Sequence, residues 1–176
     1  MSQTSALRLP STSQTDSLAA LVAVRAAARL PRVQRLLEYY ASIHPADRLP
    51  ARGDFDPLAI PRLLPHLMLV KVDCASRRFR VKVVGNTVAM ALPVPLHGRW
   101  LDEIRPEEGL DTAGLIASRL AVLETGRIAH WYGRSATRFN LDFANLEYAH
   151  CPLAEDGVHV DHILTVYQSE AVAREV

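Results

Sequence analysis

Between Pro31 and Ile43 the apolar residues Val33, Leu36, Leu37, Tyr40 and Ile43 recur at helical spacing, while Arg32, Arg35 and Glu38 occupy other faces. The preceding stretch, residues 18–30, is rich in alanine and predicts a second helix, with Asp16 or Ser17 as its cap. Pro31 either kinks this helix or opens the next one as its first residue. A single apolar stripe on a helix outside the main domain must be buried, on its own domain or against another subunit. The expectation is a homodimer through residues 18–44. Farther on, Asp56-Pro57 is a helix-start signal, and Pro61 and Pro65 allow only short turns before a strand.

The period then changes from helical to alternating. Met68, Val70 and Val72 face one way and Leu69, Lys71 and Asp73 the other; Phe79, Val81 and Val83 repeat this against Arg80, Lys82 and Val84. Residues 74–78 join the two strands as an antiparallel hairpin, and Gly85 and Asn86 end the second. Pro93, Pro95, Gly98 and Pro106 predict short turns over 87–110. A helix over 111–125 comes next, capped by Asp111 or Thr112 and stopped by Gly126. Ile116, Leu120 and Leu123 form its apolar stripe, and Ala113, Ala117 and Ala121 allow close approach to a sheet. Three strands complete the pattern, over 127–132, 146–152 and 158–168, the last two joined through Ala154-Glu155-Asp156-Gly157. The expected architecture is α+β: a five-stranded antiparallel sheet with helices on one face, plus an N-terminal helix available for the other.

Composition narrows the class. The chain has 176 residues, 49% of them hydrophobic and 22% charged, which suits one globular domain with an appended helical segment. No run approaches the roughly 20 apolar residues that span a bilayer. Two cysteines, Cys74 and Cys151, supply neither a disulfide framework nor a complete zinc site and read as reduced thiols. Residues 1–17, rich in Ser, Thr and Gln, are expected to be a disordered leader, 18–45 a helical segment and 46–170 the main domain. The apolar stretch 18–24 makes a poor targeting signal, because only Arg8 precedes it, Asp16 abuts it and Arg25 and Arg29 break up the residues after it; a cytoplasmic location is expected. Residues 1–52 carry seven arginines against three acidic residues, and the remainder is mildly acidic. Those arginines are diluted by Ala and Leu with no aromatic platform among them, which argues against nucleic acid as the partner.

Several local motifs point one way. They are Leu49-Pro50-Ala51-Arg52 with Asp54, Asp56-Pro57, Ile60-Pro61 and Leu63-Leu64-Pro65; Phe79-Arg80-Val81 with Val84-Gly85; Gly98-Arg99 with Leu101-Asp102; and Glu147 with Pro152-Leu153 and Asp156-Gly157. With the order of elements, these resemble the stand-alone PAS-domain family common in alphaproteobacteria, over about residues 32–168. The resemblance implies a sensory or regulatory module without catalytic output, one that cups a small molecule between sheet and central helices or binds protein through its sheet. It also implies a signalling partner, such as a histidine kinase or another two-component protein. The resemblance names no ligand or cofactor.

The expected pocket lies between the helix over 111–125 and the sheet. Val83, Ile116, Leu120, Trp131 and Tyr148 are its candidate lining, with His130 and His150 as polar anchors; all derive from strand and helix phase. Among seven histidines, His97 lies where heme-binding PAS domains place a ligand, but it sits in a polar turn. His159 and His162 stand three apart on an expected strand and face opposite sides, so they cannot readily share a metal. Neither cysteine falls in the helical motif of a flavin photosensor. One alternative is a small isomerase- or hydratase-like enzyme drawing an acid and a base from His130, His150, Tyr132, Tyr148 and Asp142. Another is a ligand-free interaction adaptor with a filled core. Asp54 and Asp56 read as a neutralised carboxylate, paired with Arg52, and a helix cap rather than a metal pair. The loop over 133–145, with Arg134 and Arg138, offers positive charge to an anionic ligand.

Overall fold

The computed structural model describes residues 14–135 and 139–172. Its first helix, α1 (Gln14–Ala27), begins earlier than its expected caps, so Asp16 and Ser17 lie in the first turn. There Ser17 Oγ hydrogen-bonds His44 Nε2 at 3.1 Å and the Asp16 carboxylate pairs with Arg127 at 2.7 Å. Residues 14–17, expected in the leader, are thus helical, and residues 1–13 lie outside the described residues. Pro31 opens α2 (Pro31–Ile43), as its missing N–H and fixed φ allow.

Val33, Leu36, Leu37 and Tyr40 of α2 are completely buried, and they are buried within the chain itself. They pack with Leu69, Ala149, Cys151, Leu153, Leu164 and Val166 on one face of the sheet. Tyr40 Oη donates to the Pro152 carbonyl at 2.6 Å. The stripe that suggested a homodimer through residues 18–44 is thus committed to the chain's own sheet. That contact corrects the reason for expecting the dimer.

Short 3-10 turns, Arg52–Asp54, Pro57–Ala59 and Pro61–His66, lead into the sheet. Asp56 caps the second by accepting from Leu58 N at 2.9 Å, as its spacing predicts. Asp54 pairs with Arg48 at 2.8 Å rather than with Arg52, whose guanidinium lies over the Phe55 ring. The strands are β1 (Leu67–Asp73), β2 (Arg78–Val84), β3 (Ala129–Gly133), β4 (Asn145–Leu153) and β5 (His162–Glu170). They form one antiparallel sheet in the order β2-β1-β5-β4-β3. Between β1 and β2 lies the hairpin that the alternation predicts. Helices α3 (Asn86–Ala91) and α4 (Ala113–Thr125) lie on the face opposite α1 and α2.

Two local features depart from simple alternation. Val70 pairs with Val81 but Leu69 with Val83, so β2 carries an extra residue there. This bulge keeps Phe79 and Val81 in the core beneath α3 and α4 but turns Val83 to the other face, where it is 49% exposed. In the β4–β5 connection, the Asp156 carboxylate accepts from Val158 N and His159 N at 2.8 and 2.7 Å. These local bonds hold residues 158–161 in a loop, and β5 starts only at His162. Gly157 sits in the left-handed region at φ +76°, and its carbonyl accepts from Leu49 N at 2.8 Å. Gly85 is required by space: a Cβ there would lie 2.3–2.4 Å from the backbone atoms Leu64 O, Pro65 C and Pro65 O.

Candidate functional site

The face of the sheet beneath α4 carries an unusual amount of polarity for a core. On α4 only Arg119 and Val122 are buried, so the inward face is one position away from the expected Ile116–Leu120–Leu123 stripe. Arg119 is fully buried. Its guanidinium donates to the Leu115 carbonyl at 2.8 Å and to Tyr167 Oη at 2.8 Å, and touches Met68 Sδ at 3.5 Å. Its Nε is buried without a hydrogen-bond partner. Among the described residues no carboxylate pairs with it.

Beside Arg119 lies His150, also fully buried. Its Nδ1 hydrogen-bonds Thr165 Oγ1 at 2.7 Å and its Nε2 hydrogen-bonds Ser118 Oγ at 3.1 Å. Burial, reinforced by the charge of Arg119, holds the imidazole well below the ordinary histidine pKa, so it stays neutral. The Tyr148 ring stacks on His150 at 4.5 Å and on Trp131 at 5.7 Å. Ser118, His150 and Thr165 have the order of a nucleophile, a base and an orienting group. A working base, however, must become an imidazolium, which burial and Arg119 both oppose. The chain of bonds satisfies polar groups between α4 and the sheet.

Next to this network a cavity of about 250 Å³ opens between the sheet, α3, the start of α4 and the β3–β4 connection. Met68, Leu146 and Tyr167 form its floor, Val88, Ala91 and Leu92 of α3 one wall, and Leu115 another. Phe139, Leu141 and Phe143 close it from the β3–β4 connection. Residues 139–143 are held against α3 by Asn140, whose backbone N donates to Ala91 O at 2.8 Å and whose Nδ2 donates to Leu92 O at 2.7 Å, taking up carbonyls at the end of α3. Arg32, His66, Thr87, Gln168 and Ser169 supply the polar part of the lining. Desolvation, with the nearby charge of Arg32, lowers the His66 pKa.

The seven residues expected in the pocket divide between environments. Ile116, Leu120, Trp131, Tyr148 and His150 lie on the α4 side of the sheet, near the cavity but not in its lining. Val83 is turned away by the bulge. His130 lies on the opposite face: it pairs with Ala149, and its Nε2 hydrogen-bonds Glu147 Oε1 at 2.7 Å. His130 and Tyr132 therefore lie on the opposite face of the sheet from His150 and Tyr148. Glu147, completely buried, also accepts from Arg29 N at 2.8 Å and from Leu30 N at 2.6 Å, gripping the junction of α1 and α2.

The remaining candidates fall on surfaces or in turns. His97 is exposed. His159 and His162 each hydrogen-bond a neighbouring aspartate, at 2.6 and 2.7 Å. Among the described residues no three metal-ligating side chains converge. Cys151 is buried, which pushes its thiol pKa up strongly, and Cys74 donates to the Val160 carbonyl. Arg134 is exposed at the start of the β3–β4 connection, and Arg138 lies outside the described residues. The sequence signal for the cavity that was missed is the alternation Phe139-Asn140-Leu141-Asp142-Phe143 inside an otherwise polar stretch. No described helix is long and apolar enough to cross a membrane. No protein-family model, curated protein or solved structure matches this chain.

Proposed function

We propose that the chain is a PAS-like sensory or regulatory module that takes a small molecule in the cavity between its sheet and α3, α4 and the β3–β4 connection. The observation that carries this reading is that the cavity's lining includes both the floor of Met68, Leu146 and Tyr167 on the sheet and Arg32 in the first turn of α2. Occupancy at one face of the sheet then has a direct route to the helices on the other. Arg32 N donates to Gln168 Oε1 at 2.7 Å, and Gln168 is itself a lining residue. Beside it, β4 presents Leu146 to the cavity and Glu147 to the α1–α2 junction. A ligand that shifts β4 or β5 by a fraction of an ångström acts on both ends of this linkage.

In the same reading the output is contact with another protein, a histidine kinase or other two-component protein, or a second copy of this chain. Such a partner would meet the outward sides of α1 and α2, where Val22 is exposed, because the apolar stripe of α2 is already buried. The ligand-free adaptor is the competing reading; a partly open, mainly apolar cleft of about 250 Å³ favours a small molecule over it. A native mass spectrum of freshly purified protein, set beside the denatured mass, separates the two. A reproducible extra mass of a small molecule supports the sensor. Its absence, in both wild type and a Leu115→Trp variant that fills the cavity, favours the adaptor.

A further inference from the structure

Resting on that reading of the cavity, we infer that its ligand is a small organic monoanion, an apolar body carrying one carboxylate, whose head is met by the Tyr167 hydroxyl with Arg119 behind it. A buried guanidinium is ordinarily paired with an acid, because leaving it unpaired in a low-dielectric interior is costly. Arg119 is fully buried and, among the described residues, is bonded only to neutral groups, with no partner at its Nε. Three of the residues it touches, Leu115, Met68 and Tyr167, line the cavity.

Tyr167 carries that charge to the cavity. Its oxygen accepts from Arg119 at 2.8 Å, and among the described residues its own proton has only the Met68 thioether, a weak acceptor, at 4.0 Å. A hydroxyl that accepts from a cation is polarised towards donating, and here it lines an apolar chamber with that capacity unused. No acidic side chain is found among the described lining residues, and the lining's other titratable groups, Arg32 and His66, are basic. Thr87, Gln168 and Ser169 are polar but neutral, the other lining side chains are apolar, and the volume of about 250 Å³ lies below the range of roughly 300–1,000 Å³ typical of drug-sized ligands. A medium-chain carboxylate fits these terms; a nucleotide or a cation does not.

Calorimetric titration of the full chain near neutral pH, with octanoate and with 1-octanol, tests this. Octanoate should bind, and 1-octanol should bind about tenfold or more weakly, as loss of a charge-assisted hydrogen bond implies. Tyr167→Phe, which keeps the ring, and Arg119→Met should each weaken octanoate by a similar factor and narrow the gap between octanoate and 1-octanol. Arg32→Gln should have the smaller effect. Equal binding of acid and alcohol, unchanged by either interior variant, overturns the assignment of the head group while the cavity reading stands. Loss of octanoate on Arg32→Gln but not on Tyr167→Phe overturns its placement. If neither compound binds, and Leu115→Trp alters neither melting nor purified mass, the cavity reading falls as well.

Discussion

Removing the Glu147 carboxylate should detach the N-terminal helices from the sheet more effectively than any surface change. The side chain is completely buried on β4 and holds three donors: Arg29 N, Leu30 N and His130 Nε2. In Glu147→Ala the Leu30 N–H, which is buried, is left without an acceptor at about 1–3 kcal/mol. The half-buried Arg29 N–H can recruit water, so its loss adds about 0.5–1 kcal/mol. Relief of the carboxylate's own desolvation offsets part of this. The net expectation is about 2–3 kcal/mol, or about 5–10 °C in melting temperature for a chain of this length. Glu147→Gln should recover only part of the loss, because its amide nitrogen faces a donor. Urea denaturation gives the energy, and hydrogen exchange at the Arg29 and Leu30 amides shows where it was lost. If Glu147→Ala stays within about 0.5 kcal/mol of wild type with both amides still protected, the anchoring argument is wrong.

The same packing sets the expected cost of other changes. Gly85→Ala places a methyl against the Leu64–Pro65 backbone and should cost about 3 kcal/mol or more, read as a lowered urea midpoint; a neutral result would contradict that close approach. Tyr40→Phe removes the bond to the Pro152 carbonyl in the core and should cost about 1–2 kcal/mol by the same assay. His150 stays neutral in the fold while the unfolded chain gains a proton below the ordinary value of 6.5. Stability should therefore be full above that value and fall as the pH drops through it, at up to about 1.4 kcal/mol per pH unit for this group. His150→Gln should flatten that slope, and an unchanged slope would refute the assignment. The Asp156 carboxylate is held down to about 2, first by the His159 backbone N–H and then by the His159 side chain, so its carboxyl carbon should titrate near there by NMR.

Much of the fold was legible where one pattern had one solution. The α2 stripe, the β1–β2 hairpin and the helix ending at Gly126 each rest on a periodicity or cap with a single physical meaning. What escaped depended on relations between segments. His130 and His150 looked alike in phase, but the pairing of Ala129 with His150 fixes their parity and sends His130 to the other face. Val83 was displaced by a bulge that no single strand announces. The inward face of α4 is turned by one residue because Arg119, polar by composition, is the side chain the core accepts. The α2 stripe gave the presence of a buried face but not its partner, since a sheet and a second subunit make the same demand on a helix.

Amide hydrogen exchange reads out the coupling between the cavity and the N-terminal helices. The protein as purified would be compared with the same protein after organic extraction and refolding. The account predicts faster exchange after extraction in two places, residues 139–146 around the cavity and residues 28–34 at the α1–α2 junction, with β1 and β2 unchanged. Identical exchange in the two preparations would contradict a small-molecule cavity coupled to the N-terminal helices.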